Sequence, residues 1–246
     1  MSRSNPTSSI PNPSHCTIEW SGKDGHFYYY DKELQKDIVI KEPFSFIVLD
    51  QLVSIAGFSD RLQCGFYSNE VHDTTKELLH VRSQKGNFEE AGLYKDLKPK
   101  LIVEGAKYCK NIYVATNIGG SLVIAKMKLV GAAFSEWYDF EKMNKEKVYA
   151  AGITCKKAIE KKKGTNTYQC PVFQLKDLTE ATEQAAIELD IILQKYFKVK
   201  SASSHITEAS EAIGESAQNP VDASLSALDQ ASQINPADDG VDDLPF

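Results

Sequence analysis

The chain has 246 residues, 42% of them hydrophobic and 25% charged, enough for one substantial globular domain. No apolar run reaches the length that crosses a bilayer, and the Ser/Pro/Asn-rich start, residues 1–14, lacks the apolar stretch of a secretory signal and reads as a short disordered lead. The net charge of −6 conceals an asymmetry: residues 201–246 carry nine acids and no Lys or Arg, so residues 1–200 hold all 28 bases against 25 of the 34 acids, a balance of +3.

A mildly basic body (residues 15–200) joined to a flexible acidic tail (201–246) suits a polyanion binder whose tail folds back when no ligand is present. Five cysteines (Cys16, Cys64, Cys109, Cys155, Cys170) form no CxxC pair and are odd in number, which disfavours a disulfide framework and a zinc ribbon. The histidines show no ligand spacing, so no metal and no cofactor is expected. A reduced, cytoplasmic setting is the expectation.

In chain order, residues 17–20 and 27–31 flank a Gly22-Lys23-Asp24-Gly25 turn and predict a hairpin. Residues 37–41 and 44–52 are strand-like runs split by Pro43, and 63–68 and 78–82 are shorter candidates. Residues 83–100 are polar and glycine-punctuated, and read as a functional loop. Residues 101–116 form the longest strand candidate, with Gly105 marking a bulge or bend. Residues 121–130 alternate cleanly, with Lys126 and Lys128 facing away from Val123, Ala125, Met127 and Leu129. A helix follows over 132–143, then a hairpin from 152–160 and 168–175 joined by a lysine-rich tip. The last expected helix starts after Asp177 and Glu180, runs to about 198, and packs through Ala185, Leu189, Ile192, Leu193 and Tyr196. The fold expected is mainly β with added helices (α+β), an OB-like small barrel with insertions; a generic α+β sheet is the alternative.

Catalytic signatures are missing from the sequence: there is no P-loop, no GxGxxG, and Gly57-Phe58-Ser59 completes no nucleophile elbow. Asp50, Glu70 and Asp73 are carboxylates without motif spacing, better explained by surface solvation than by metal-dependent cleavage. What stands out is rings interleaved with lysines, the pattern that stacks bases and lines a phosphate track. Phe27-Tyr28-Tyr29-Tyr30 places Tyr28 and Tyr30 on one strand face, unless both faces are buried. Tyr67, Lys85, Tyr94, Lys95, Lys107, Tyr108 and Lys110 extend the mixture, and Lys126 and Lys128 share an outward strand face. Lys161, Lys162 and Lys163 repel one another at a hairpin tip unless they meet phosphates, with plain solubility as the competing explanation. Arginine is rare (Arg3, Arg61, Arg82), which favours point-charge phosphate contact over bidentate base readout. Trp137 and Tyr138 read as core.

The chain ends Asp242-Asp243-Leu244-Pro245-Phe246. This resembles the acidic C-terminal tip of bacterial and phage single-stranded DNA-binding proteins, and the resemblance implies that the tip recruits replication or recombination proteins through the Phe ring and terminal carboxylate. The body is similar to phage-encoded DNA-binding proteins in His26-Phe27-Tyr28-Tyr29-Tyr30, Gly65-Phe66-Tyr67-Ser68-Asn69-Glu70-Val71, Gly92-Leu93-Tyr94-Lys95-Asp96-Leu97 and Gly105-Ala106-Lys107-Tyr108. It is nearly twice the length of the familiar bacterial domain, so oligomeric state and individual DNA contacts do not carry over. The resemblance implies a sequence-independent, non-enzymatic binder of single-stranded DNA, placed in the host cytoplasm if phage-encoded. A homo-oligomer is compatible with this reading and a membrane is not. A metal-dependent nuclease or nucleotide-processing enzyme with a recruitment tail, and a protein-only adaptor, are the alternatives.

Overall fold

The computed structural model describes residues 11–210. Residues 1–10 and 211–246, which contain most of the expected lead, most of the acidic tail and the Asp242 to Phe246 tip, lie outside the described residues.

Strands β1 (Thr17–Ser21) and β2 (His26–Asp31) form the expected hairpin, and β3 (Lys36–Val39) extends it. β4 (Phe44–Ser59) leads through β5 (Cys64–Ser68), β6 (Leu79–Ser83) and β7 (Glu89–Gly92), an antiparallel meander. Helix α1 (Tyr94–Val103) precedes β8 (Ala106–Ile118) and β9 (Ser121–Val130), which pair from Cys109 to Ile118 along the whole of β9. Helices α2 (Gly131–Asn144) and α3 (Lys147–Ala150) come next, then the hairpin β10 (Gly152–Lys163) and β11 (Asn166–Lys176), and last α4 (Glu180–Ser210).

These strands make one large mixed sheet in the order β3-β2-β1-β9-β8-β4-β5-β6-β7, from which β10 and β11 branch at β4. The branch exists because β4 changes neighbours along one edge. Residues 44–47 pair with β10 and residues 56–59 with β5, while β8 follows the opposite edge from Phe46 to Gly57. A bulge between Val48 and Asp50 lies between the two halves, where such an irregularity bends a strand.

The expected closed barrel is not what forms. β1 pairs in parallel with β9 and takes the edge that a closing strand would need. β11 meets the β1–β2 hairpin through the Gln169 amide on the Gly22 carbonyl (2.7 Å) and the Trp20 indole on the Gln169 carbonyl (3.0 Å), and among the described residues its strand pairing is with β10. The sheet is therefore open, with β3 and β7 as its ends.

The larger core lies on one side of the sheet. Phe27, Phe44, Phe46 and Phe173 meet Trp137 and Phe140 of α2 there, and the Trp137 indole donates to Gln51 Oε1 at 3.1 Å. A second core gathers Val53, Ile55, Phe66, Leu79 and Val81 under Leu97 and Leu101 of α1. On the other side of the sheet α4 covers Leu52, Tyr113 and Ile124 with Leu193 and Phe197, and covers Ile47 and Ala115 with Ala186.

Several local expectations change. Residues 89–92, within the stretch read as a loop, pair with β6 as β7, and the strand expected over 44–52 continues to Ser59. Residues 94–103 are helical because Leu97 and Leu101, four apart, both bury against the second core, so the segment read as loop and strand becomes α1. Gly105 (φ +74°) is thus a helix-to-strand turn and not a bulge; a side chain there would approach the Phe58 carbonyl to 2.9 Å. The lysines at 161–163 belong to β10 itself, with a turn of only two residues, Gly164 (φ +60°) and Thr165, beyond them. The final helix begins with Thr179 Oγ1 accepting from the Thr182 amide and runs to Ser210, so the expected boundary at 200/201 falls inside it.

Candidate nucleic-acid interface

Side chains alternate across a strand, so the registers decide which of the predicted residues share a face. On β2, Phe27 is buried in the core while Tyr28 and Tyr30 point the other way, and Tyr30 is 40% exposed. Pairing sets Tyr28, Glu19, Lys128, Asn111 and Leu52 in one row across β2, β1, β9, β8 and β4. A neighbouring row contains Thr17, Lys126, Tyr113 and Asp50. Four residues along β8 from Asn111, a third row holds Lys107, Ala56, Tyr67, Arg82 and Glu89. Phe58, two residues beyond Ala56 on β4, shares this side. Tyr28, Tyr30, Tyr67, Lys107, Lys126 and Lys128 therefore lie on one sheet face, drawn from segments up to a hundred residues apart.

The two ends of that face are open. Phe58 and Tyr67 are 41% and 40% exposed on adjacent strands, beside exposed Lys107 and Arg82. Arg82 donates to Glu89 Oε1 at 2.8 Å, a surface pair that a phosphate can exchange into at small cost. Rings with free faces next to cations are what sequence-independent stacking on single strands requires.

The middle of the face is charged and closed. Glu70, whose side chain is 9% exposed, accepts from the Tyr113 hydroxyl (2.8 Å), the Asn111 amide (3.1 Å) and Lys200 Nζ (3.2 Å), with Lys126 Nζ at 3.6 Å. Burial alone would raise the Glu70 carboxyl, but Lys126, Lys200 and the Tyr113 hydroxyl together hold it below the ordinary glutamate value. Lys128 Nζ lies 3.6 Å from Glu19 Oε1, and the same carboxylate accepts from the Tyr28 hydroxyl at 3.3 Å. Burial first, then Glu19, raises the Tyr28 phenol, which stays neutral. The two lysines expected to line a bare track are thus each matched to a glutamate, and α4 lies over the neighbouring part of the sheet.

The remaining predicted residues are elsewhere. Lys110 points to the opposite side, 3.9 Å from Glu141 Oε2 of α2, and burial lowers its pKa against the pull of Glu141 and Asp50. Tyr108 is packed between Tyr94 (5.0 Å between ring centres) and Phe134 (5.4 Å), and burial pushes its phenol up to about 12. Those rings join α1 to α2. Lys85 and Lys95 are exposed, in the β6–β7 turn and on the first turn of α1, outside the registered rows. Lys161 contacts Glu136 of α2, and Lys162 and Lys163 are exposed beside the β10–β11 turn. Tip residues Asp242, Asp243, Leu244, Pro245 and Phe246 lie outside the described residues.

The carboxylates weighed for metal chemistry do not converge. Asp50 accepts from Gln194 (3.0 Å) and lies 3.2 Å from His72 Nε2, Asp73 is bound up with Thr75 and Lys76, and Glu70 is in the cluster above. Among the described residues no group of three or more His, Cys, Asp or Glu side chains could hold a metal ion, and no helix is long and apolar enough to cross a membrane.

Sequence reasoning missed Phe58 and Glu19, noted Arg82 only as one of few arginines, and took Glu70 for a solvated surface carboxylate, whereas its side chain is 9% exposed. Phe58 stands in an unremarkable Ala56-Gly57-Phe58 string, although its alternation with Ala56 on a strand was available. The partner glutamates had no local signal, because their lysines are tens of residues away.

No family model matches the chain, and no curated protein or solved structure matches it.

Proposed function

We propose that this protein binds single-stranded DNA without sequence preference, and that the strand runs over the sheet face bearing Phe58, Tyr67, Lys107 and Arg82 toward Tyr30. One observation carries the reading: two partly exposed rings on adjacent strands, Tyr67 in register with two exposed cations and Phe58 two residues along from that row, on the side of the sheet away from the main core. Its counterpart in chemistry is base stacking plus phosphate contact, with few arginines for reading base edges.

The connection order supports an opened OB-like arrangement. The strands β4, β8 and β9 form a meander, α2 follows, and β10 returns to β4 before turning into β11. In OB folds the second and third strands and two loops, between strands one and two and between strands four and five, bind oligonucleotides. On this reading those strands are β8 and β9, the first loop is the insertion carrying Tyr67 and Arg82, and the second is the turn flanked by Lys161 to Lys163. The acidic C-terminal stretch then competes for the cationic surface, and the Asp242 to Phe246 tip recruits replication or recombination proteins.

An electrophoretic assay with labelled oligonucleotides tests the proposal. Single strands should bind more tightly than duplex of equal length, affinity should fall as salt rises, and removing residues 211–246 should tighten binding at low salt. Equal binding of single strands and duplex at low salt would sink it. Degradation of the oligonucleotide in Mg²⁺ or Mn²⁺, blocked by chelator, would replace it with a nuclease.

A further inference from the structure

We propose that α4 is a self-association surface, pairing antiparallel with α4 of a second copy of this chain. The helix has two faces of different use. Ala186, Leu193 and Phe197 are buried against the sheet. At about 100° per residue, Gln184, Ile187, Glu188, Ile191, Lys195 and Lys198 fall in one arc on the opposite side. In that arc Ile187 is 48% and Ile191 64% exposed, with Ile192 at its flank 51% exposed. Exposed isoleucines clustered in the N-terminal half of a long helix are unlike singly scattered surface residues, and a contiguous apolar patch with charges beside it marks an interaction site.

Charge chooses the occupant. Between Ile187 and Ile191 the arc carries Glu188, and C-terminal to the isoleucines it carries Lys195 and Lys198. An isologous contact pairs each residue with its mate across a two-fold axis. With the axis between residues 191 and 192, Ile191 of each copy meets Ile192 of the other, and Glu188 meets Lys195 of the other. A parallel pair would set Glu188 against Glu188 and Lys195 against Lys195, so the pattern is self-complementary only when antiparallel. The helix covers 31 residues, about 46 Å at 1.5 Å each, long enough for the apolar centre and both charge pairs to engage together. Helices so packed approach to about 8–10 Å. The inference does not rest on DNA binding.

Sedimentation velocity on the full chain, without DNA, over about 1–100 μM reads the result. The wild type should move from the 27.4 kDa monomer to twice that mass. Ile191→Glu, at an exposed position that leaves the core intact by circular dichroism, should shift the midpoint at least about tenfold toward monomer. Glu188→Lys and Lys195→Glu should each weaken the dimer, and the two together should restore it, because the inverted pairs match again. A monomer throughout the range, as when a segment of the same chain covers the patch, would overturn the proposal. So would a dimer that all these changes leave untouched.

Discussion

Lys107 is exposed on β8 and registers through Ala56 with Tyr67, so its ammonium and the Tyr67 ring are presented together. If a base stacks on that ring, Tyr67→Ala and Phe58→Ala should each weaken single-strand binding by about 1–3 kcal/mol, roughly fivefold to a hundredfold. Lys107→Glu should weaken it and reduce the slope of log affinity against log salt by about one. Tyr94→Ala is the control: that ring packs against Tyr108, so its loss should lower stability and leave the salt slope unchanged. Fluorescence anisotropy with a labelled oligonucleotide reads all four. Glu70 behaves differently, since its carboxylate ties Lys126, Lys200, Tyr113 and Asn111 into one cluster. Its folded pKa lies below the unfolded one, so its contribution is fully present above the ordinary glutamate value and is lost as pH falls through the depressed value. Glu70→Gln should lower unfolding free energy at pH 7 by about 1–3 kcal/mol and flatten the acid limb of stability against pH. Urea melts from pH 7 down to pH 3 check this, and a variant with the wild-type acid limb would exclude Glu70 as its source.

At the scale of elements, α4 is the piece whose position most affects the candidate interface. It is attached to the sheet by Leu193 and Phe197, by Gln194 on Asp50, and by Lys200 on Glu70. Phe197 is 9% exposed and meets Tyr113 at 5.0 Å, so Phe197→Ala should cost about 3 kcal/mol. Hydrogen exchange should show that loss first in α4 and in the β8–β9 pair beneath it; protection lost evenly over the molecule would contradict a locally docked helix. The packing face of this helix was legible at Leu189, Leu193 and Tyr196, whereas Ile192, expected on that face, is 51% exposed and the buried ring is Phe197. Strand β9 was legible too, where Lys126 and Lys128 alternate with Ala125, Met127 and Leu129. Helix α1 was hidden by Pro99 and by Gly92 and Gly105 at its flanks, and only the joint burial of Leu97 and Leu101 overrides them. The full length of β4 was obscured by Asp50 and Gln51 in its middle; Gln51 is buried there because Trp137, Glu141 and Tyr149 satisfy its amide.

For the molecule as a whole, the hydrophobic pattern told that strands would dominate and not how they would join. Whether β1 pairs with β9 or leaves that edge for a closing strand is decided between residues over a hundred positions apart, and no local alternation records it. The same distance effect hid the glutamates that pair with Lys126 and Lys128, so lysines read as a bare phosphate track turn out to be matched. The function we propose puts DNA at the ends of the face, on Phe58, Tyr67, Lys107, Arg82 and Tyr30. Photo-crosslinking of the full chain to an iodouracil-substituted single strand, followed by peptide mapping, tests this most directly. The account predicts crosslinks at Tyr67, Phe58 or Tyr30, lost in Tyr67→Ala and Phe58→Ala at the matching peptide; crosslinks confined to Tyr94, Tyr108 or Tyr138 would contradict it.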